Sequence, residues 1–166
     1  LTGLLLVDAI ARGEVALDTP VAQLVPFGVR FPDADGVFPT LGDLATHRAG
    51  LAPMPDNLDP AQLDPYAHYS ELDLFQYLER AQLYALPGTQ YAYSNLGFGI
   101  LGYVLARQIG TTYEQAVKTR VLAPLGLAET LIQIPAELAS RVLPGTTAGG
   151  QEAPAWNFDV LAGAGA

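Results

Sequence analysis

The sequence predicts a mainly helical, globular domain with little β-sheet. Half of its 166 residues are hydrophobic and 15% are charged, a composition typical of folded rather than disordered chains. Apolar residues recur at helical spacing, as in Leu72, Phe75 and Leu78. Several such segments follow a hydroxyl residue suited to cap a helix. A chain of this length most often forms one domain.

Six helical segments are predicted in chain order, and loops separate most of them. Their approximate ranges are 4–11, 20–26, 40–46, 70–82, 96–110 and 111–122. A short strand is expected at 131–134 and a helical turn at 135–143. Segments rich in Pro, Gly or Asp indicate loops at 27–39 (with room for one short strand), 52–69 and 144–155.

The first two helices are identified by their stop and start signals. Gly13 suits the left-handed position that follows a helix. Asp18 or Thr19 is expected to cap the short second helix, with Pro20 at its first position, where proline is favoured.

Hydroxyl caps identify three later helices. Thr40 precedes one of them. Ser70 is followed by Asp73, and Thr111 by Glu114, at the three-residue spacing of a capping box.

Composition excludes several classes of function. The net charge of −9 and the pI of about 4.4 disfavour nucleic acid and anionic membranes as partners. Because there is no cysteine, disulfides and thiolate metal sites are excluded. Asp56, Asp59 and Asp64 are spaced too irregularly for a calcium loop, so no metal is expected. No apolar run reaches the roughly 18 residues that a membrane-spanning helix needs.

The segment around residues 87–99 organises the rest of the chain. A Pro-Gly turn at 87–88 leads into Tyr93, Ser94 and Asn95, and either of the last two suits a helix N-cap. A tyrosine hydroxyl becomes a general base when positive charge stabilises its ionised form. The alternative is that Tyr91 and Tyr93 are half-buried core aromatics and that Ser94 and Asn95 only cap the helix.

The helix after this segment contains Gly97, Gly99 and Gly102. Each glycine costs a helix about 1 kcal/mol relative to alanine. A helix tolerates that cost where another group must approach its backbone closely, so we expect such an approach here.

Residues 93–95 (Tyr-Ser-Asn), preceded by Pro-Gly-Thr, resemble the second motif of the penicillin-recognising serine hydrolases. This family includes class C β-lactamases, DD-peptidases and β-lactamase-like esterases. Three more segments resemble the family in the same order: 4–21, which is similar to the stretch after its nucleophile, 40–51 (a Leu-Thr-His-type segment) and 121–130 (a Pro-Leu-Gly segment).

The resemblance implies the helical subdomain of the α+β β-lactamase/DD-peptidase (transpeptidase-like) fold, with most of the antiparallel sheet missing from this chain. It implies acyl transfer on a small-molecule ester, β-lactam or peptide, without a cofactor. Tyr93 would be the general base or proton shuttle, and Asn95 would hydrogen-bond the substrate or the motif lysine. Ser94 in the middle position favours the DD-peptidase and esterase branches over a dedicated β-lactamase.

Two of the family's three catalytic motifs are missing. The only lysine is Lys118, and neither Ser70 nor Ser140 begins a Ser-x-x-Lys motif; Lys-Thr-Gly is also absent. The chain is therefore interpreted as one partial domain, residues 1–166, from inside a larger hydrolase, and as inactive alone. The alternative is a non-catalytic binding or scaffold module with the same helical fold.

The expected partners and location follow from the same interpretation. A subdomain without its sheet would expose an apolar face and self-associate. The family resemblance favours an extracytoplasmic location, and the esterase branch leaves the cytoplasm open. His47, in the Thr-His segment, is expected to be structural at a helix end. Residues 156–158 form either a core plug or a wall of the substrate site.

Overall fold

The computed structural model describes residues 1–59, 64–153 and 155–165. Within these ranges the fold is rich in helix and has one small antiparallel hairpin, so the mainly helical prediction is confirmed. The helices are α1 (Thr2–Ala11), α2 (Leu41–Ala45), α3 (Glu71–Arg80), α4 (Asn95–Ile109) and α5 (Tyr113–Val117). The strands are β1 (Gly145–Thr146) and β2 (Glu152–Ala153), with Gly145 opposite Ala153 and Thr146 opposite Glu152. Short 3₁₀ segments cover Val21–Gln23, Ala136–Arg141 and Asp159–Ala164, and a π-helix covers Lys118–Leu122.

Helix α1 ends at Gly13 as the sequence predicts. Gly13 has φ +71°, and its N–H donates to the Ile10 carbonyl at 2.9 Å. The Glu14 N–H donates to the Ala9 carbonyl at 3.0 Å. Together these bonds form a Schellman motif, which satisfies carbonyl groups that the helix end leaves unpaired.

Two predicted caps are also confirmed. The hydroxyl of Thr40 accepts a hydrogen bond from the Asp43 N–H, and the hydroxyl of Ser70 accepts one from the Asp73 N–H. Both aspartates bond back to the backbone N–H of the capping residue, which completes a capping box at each helix.

The predicted cap at Thr111 is wrong by one residue. Helix α4 ends in a second Schellman motif at Gly110, in which the Thr111 N–H donates to the Ala106 carbonyl at 3.0 Å. Because this bond makes Thr111 part of the end of α4, α5 begins one residue later. Its cap is Thr112, whose hydroxyl accepts from the Gln115 N–H at 3.2 Å.

The carboxylate of Glu114 makes contacts different from those of a capping box. One of its oxygens accepts hydrogen bonds from the backbone N–H groups of Ile132 and Gln133, each at 3.1 Å. These amides therefore bond to a side chain, and the strand predicted at 131–134 does not form. The helical turn predicted at 135–143 is present as the 3₁₀ segment that begins at Ala136.

The prediction of Pro20 as the first residue of a helix is also wrong. Pro20 is extended and forms a bridge with Thr40, because the Val21 N–H donates to the Pro39 carbonyl and the Leu41 N–H to the Thr19 carbonyl. Only one turn of 3₁₀ helix follows it. The hydroxyl of Thr19 accepts from the Ala16 N–H instead of capping that turn.

The loop predicted at 144–155 contains the β1–β2 hairpin, so that prediction is corrected. The reversal is closed by bonds between Thr147 and Gln151, including one from the Thr147 N–H to the Gln151 carbonyl at 2.8 Å. In the loop predicted at 52–69, residues 52–59 and 64–69 form neither helix nor strand. Residues 60–63 of that loop, Pro154 and Ala166 lie outside the described residues.

Helix α4 lies at the centre of the core. Five of its large apolar side chains are fully buried: Leu96, Ile100, Leu101, Val104 and Leu105. The segment Asp159–Ala164 packs directly on its glycines. A methyl group at Gly102 would lie 2.7 Å from Cα of Gly163, and one at Gly99 would lie 2.7 Å from Leu161. The close approach that the glycines predict is therefore present.

Helix α1 is held by polar contacts at both ends. At its start the buried hydroxyl of Thr2 donates to the Gly163 carbonyl at 2.7 Å and lies 2.7 Å from the hydroxyl of Tyr113. At its end Asp8 and Glu14 share the guanidinium of Arg120, at 3.4 and 2.6 Å respectively. Among the described residues no helix is long and apolar enough to cross a bilayer.

We expect Gly102→Ala to lower the free energy of unfolding by about 1–3 kcal/mol, the usual cost of overpacking a core. The added methyl would press on the backbone of Gly163 and on the ring of Tyr113, which cannot both move away. Urea denaturation of the two proteins would measure the difference.

Gly3→Ala is the matched control, because Gly3 lies in α1 with nothing within 4 Å of an added methyl. It should raise stability by up to about 1 kcal/mol through helix propensity alone. Equal effects of the two substitutions would contradict the close packing of α4.

Candidate functional site

The site begins where α2 ends. His47 has φ +56°, and its N–H donates to the Leu44 carbonyl at 3.2 Å. The Arg48 N–H donates to the Asp43 carbonyl at 2.7 Å, so α2 also ends in a Schellman motif, with histidine in the left-handed position. Histidine, asparagine and aspartate adopt this conformation more readily than other side chains. The expectation that His47 lies at a helix end is therefore met.

The imidazole of His47 contacts the segment that precedes α4. Its Nδ1 accepts a hydrogen bond from the Ser94 N–H at 3.2 Å. The centre of its ring lies 4.5 Å from that of Tyr93, 4.8 Å from that of Phe98 and 5.9 Å from that of Tyr91, whose ring is nearly perpendicular to it. Partial burial lowers the pKa of His47 below its ordinary value. A neutral imidazole is the form that accepts at Nδ1.

Ser94 fixes the start of α4 from the other side. Its hydroxyl accepts from the Gly97 N–H at 2.9 Å and donates to the Ala52 carbonyl at 2.7 Å. The side chain is buried, and the neighbouring Leu96 N–H donates to the Pro53 carbonyl at 3.1 Å. Of the two predicted cap residues, Ser94 is the N-cap. The backbone on both sides of Tyr93 and Asn95 is thus held by neighbouring loops.

The two predicted site residues flank Ser94 at this corner. Tyr93 is 57% exposed, although its ring packs on His47. Asn95 is partly buried as the first residue of α4. Within the described ranges neither side chain makes a hydrogen bond of its own.

The turn at 87–88 is tied to the end of α2. Gly88 has φ +81°, its N–H donates to the Arg48 carbonyl at 2.9 Å, and its carbonyl accepts from the Arg48 guanidinium at 3.3 Å. Further along, the Ala92 N–H donates to the His47 carbonyl at 2.9 Å. These hydrogen bonds hold the segment between the turn and Tyr93 alongside residues 47–50.

A second aromatic group joins the loop at 64–69 to residues 156–158. Asp64 accepts from the backbone N–H groups of Tyr66 and Asn157, at 3.0 and 2.8 Å. The ring of Tyr66 lies 4.4 Å from Phe158 and 5.4 Å from Trp156. Phe158 packs on the core, whereas Trp156 remains 52% exposed. The segment therefore combines a plug, which is Phe158, with an exposed aromatic surface.

Several other candidates lie apart from the corner. A cleft of about 700 Å³ runs between the start of α3 and the end of α4, lined in part by Tyr103, Arg107 and Asp159, and neither Tyr93 nor Asn95 reaches it. In the part of the chain that the structure describes, no three His, Asp or Glu side chains are grouped closely enough to hold a metal ion. Asp56 pairs with Arg80, and this ion pair lowers the pKa of its carboxyl.

The sequence did not reveal that His47 and Ser94 meet. They are 47 positions apart, and no spacing rule links a helix end to a distant N-cap. The available signal was the histidine itself, placed directly after a short helix where a left-handed residue is needed.

Comparison with known proteins gives a consistent result. The family model described as Beta-lactamase matches residues 1–165. The D-alanyl-D-alanine-carboxypeptidase/endopeptidase AmpH of Escherichia coli is 35% identical over 78% of this chain and 34% of its own length. The esterase EstB of Burkholderia gladioli is 33% identical over 72% of this chain and 33% of its own length. The chain thus spans about a third of the length of these relatives.

A solved structure resembles the fold closely. The β-lactamase/D-alanine carboxypeptidase from Yersinia pestis, crystallised with citrate, superposes with a TM-score of 0.85 at 27% identity. The superposition covers 99% of this chain and 45% of that protein. The helix-rich structure described above is consistent with part of that fold.

We expect Ser94→Ala to destabilise the chain by about 1–3 kcal/mol. The substitution removes the cap of α4, worth about 1 kcal/mol, and leaves the Ala52 carbonyl without its donor. Thermal unfolding and hydrogen exchange at the Gly97 N–H would measure the loss.

Ser70→Ala is the matched control, since Ser70 caps α3 with the same type of bond but is exposed and has no distant acceptor. It should cost about 1 kcal/mol or less. A cost at Ser94 no larger than that at Ser70 would show that the bond to Ala52 contributes nothing.

Proposed function

Because the chain belongs to the Beta-lactamase family, we propose that it is part of a serine hydrolase that acts by acyl transfer on an ester or amide. The observation that carries the proposal is the corner at residues 93–95. The phenol of Tyr93 and the carboxamide of Asn95 flank Ser94 there, on a backbone that His47, Ala52 and Pro53 hold in place. Such preorganisation is what acid–base catalysis requires.

Tyr93 is proposed as the general base and proton shuttle. In the first step a serine oxygen attacks the substrate carbonyl carbon while Tyr93, acting as the base, takes up the serine proton. The tetrahedral adduct then collapses, its bond to the leaving group breaks, and Tyr93 returns the proton to the leaving oxygen or nitrogen. Water repeats the sequence on the acyl-enzyme. The exposed hydroxyl and the packed ring of Tyr93 support this role.

Asn95 is proposed to bind the substrate or a lysine of the Ser-x-x-Lys motif. Its backbone is fixed as the first residue of α4, so the carboxamide is held within reach of whatever Tyr93 contacts. A carboxamide both donates and accepts, which suits an amide or carbonyl of the substrate as well as a lysine ammonium.

The proposed substrates share a carbonyl and differ in the leaving group. The names of the relatives cover a D-alanyl-D-alanine carboxypeptidase and endopeptidase, an esterase and a β-lactamase/D-alanine carboxypeptidase. Ser94 favours a peptide or ester substrate over a β-lactam, by resemblance to the DD-peptidase and esterase branches.

The 166 residues are proposed to be inactive alone. By the family resemblance, the positive charge beside the base comes from motif lysines, and the single lysine, Lys118, is exposed in the π-helix 25 positions after Tyr93. The missing Ser-x-x-Lys motif would supply both the nucleophile and that charge.

A chimera tests the proposal directly. Residues 1–165 replace the matching segment of the Escherichia coli AmpH protein, which supplies the flanking sequence. We expect this chimera to hydrolyse a p-nitrophenyl ester, a D-alanyl-D-alanine peptide or a chromogenic β-lactam. Tyr93→Phe should lower kcat by about 10²–10⁴-fold, the usual contribution of a general base.

Tyr91→Phe is the matched control, because Tyr91 is an exposed tyrosine two residues away, 65% exposed against 57% for Tyr93. It should leave kcat nearly unchanged. Equal activity of the Tyr93→Phe chimera and its parent would refute the base assignment. The 166-residue chain alone should gain no mass from a fluorophosphonate probe, and an adduct on any of its serines would refute the proposed inactivity. A folded chimera without turnover would favour the non-catalytic binding module.

We also propose that the isolated chain self-associates through α1. Leu4 is 53% and Val7 62% exposed, one turn apart on a helix whose other side is buried. Leu1 and Ala11 extend this face in both directions. Exposed apolar faces of this kind are usually covered by another surface.

Leu4→Glu combined with Val7→Lys should shift the chain toward monomer in sedimentation velocity runs over a concentration series. Charged side chains on this face would have to be desolvated in a dimer. Phe27→Ser is the control, since Phe27 is fully exposed in a separate loop. If the unsubstituted 166-residue chain is monomeric at every concentration, the proposal of self-association is wrong.

A further inference from the structure

His47 contacts the Tyr-Ser-Asn corner in two independent ways. Its Nδ1 accepts from the Ser94 N–H at 3.2 Å, and its ring packs on the ring of Tyr93 at 4.5 Å with a tilt of 40°. Its own backbone is locked in the left-handed conformation by the end of α2. This side chain thus contacts both the backbone of Ser94 and the ring of the proposed base, Tyr93.

We propose that His47 is a positioning residue whose neutral imidazole holds Tyr93 and Ser94 in place, and that acidification releases this corner. The inference rests on the proposed function only for the catalytic importance of residues 93–95. The pH-dependent contact that His47 makes with them is a property of the 166-residue chain. His47 touches no substrate in this account and acts through Tyr93 and Ser94.

The chemistry of the bond gives the direction of the effect. An Nδ1 that accepts must carry a lone pair, so the proton of the neutral ring lies on Nε2. Protonation places a hydrogen on Nδ1, where it faces the Ser94 N–H, and the bond is lost. Burial, which lowers the pKa of His47, keeps the ring neutral near pH 7.

Linkage gives the pH range. In the unfolded chain His47 has the ordinary pKa of about 6.5, and in the folded chain its pKa is lower. The full stabilisation is therefore present above about pH 6.5, and it is lost as the pH falls from there through the folded pKa.

Few other titratable groups face the imidazole. Tyr91 and Tyr93 pack on it from the segment before α4, and Phe98 of α4 carries no charge. From the end of α2, the Asp43 carboxylate is bonded to Thr40, and the Arg48 guanidinium donates to Gly88. A pH-dependent change at Ser94 with the midpoint of His47 would therefore report His47 itself.

The test is an NMR pH titration of the full chain between pH 8 and 4. The ¹⁵N shifts of the His47 ring should identify the Nε2–H form at neutral pH, with a midpoint below the ordinary histidine value of about 6.5. The Ser94 amide and the Tyr93 ring protons should shift with the His47 midpoint. His68→Gln should leave all of these changes in place.

Two variants separate the effect of the hydrogen-bond acceptor at position 47 from the effect of side-chain size. In His47→Asn the side-chain oxygen occupies the same position along the chain as Nδ1, tolerates the left-handed backbone and does not titrate. It should keep the Ser94 amide protected from exchange and should abolish its pH dependence. In His47→Gln the oxygen lies one bond further out, so exchange at Ser94 should rise by up to about tenfold, the equivalent of one hydrogen bond.

Each outcome decides the proposal. The proposal would be overturned by a Ser94 amide shift whose midpoint differs from that of His47 or by an Nδ1–H tautomer at neutral pH. Equal exchange of the Ser94 amide in His47→Asn and His47→Gln would also overturn it. None of these measurements uses activity. A failed chimera with a positive titration would therefore refute the proposed function alone, and the reverse result would refute only the role of His47.

Discussion

The near contact of two backbones determines how the described part of this chain is arranged. Helix α4 and the segment Asp159–Ala164 meet at Gly99, Gly102 and Gly163, where a methyl group on any of them would collide. The contact also places Gly163 where Thr2 can bond to its carbonyl, so α1 is joined to the same point. The start of α4, which carries the corner at Tyr93, is therefore supported by elements from both ends of the sequence.

Sequence reasoning succeeded where the structure depends on neighbouring residues. Gly13, Thr40, Ser70 and Gly110 were assigned correctly because a cap or a helix end involves a few consecutive positions. The glycines of α4 predicted a close partner, although not which segment it would be, because nothing in the helix encodes a contact some 60 residues away. It failed where one local signal competed with another: Thr111 has the spacing of a cap but serves the end of α4 instead.

The candidate site shows the same division. Residue types and a family resemblance pointed to Tyr93 and Asn95, which flank the N-cap Ser94 in the structure. The backbone there is held by His47, Ala52 and Pro53, which belong to other loops. Contacts between residues of different loops depend on how those loops cross in space, which the spacing of residues along the sequence does not show. The roles of Tyr93 and Asn95 in chemistry are predicted from the family resemblance.

The glycines of α4 also bear on the order in which the chain folds. A helix with three glycines near its start is a poor nucleus, since each lowers its intrinsic propensity by about 1 kcal/mol. The segment that packs on these glycines, and so offsets their cost, lies near residue 163. Its contribution to the stability of α4 therefore requires closure of a long loop. We therefore expect α4 to be consolidated late, after more local helices such as α3. The corner that carries Tyr93 would then become fully ordered only after the segment near residue 163 has packed on α4.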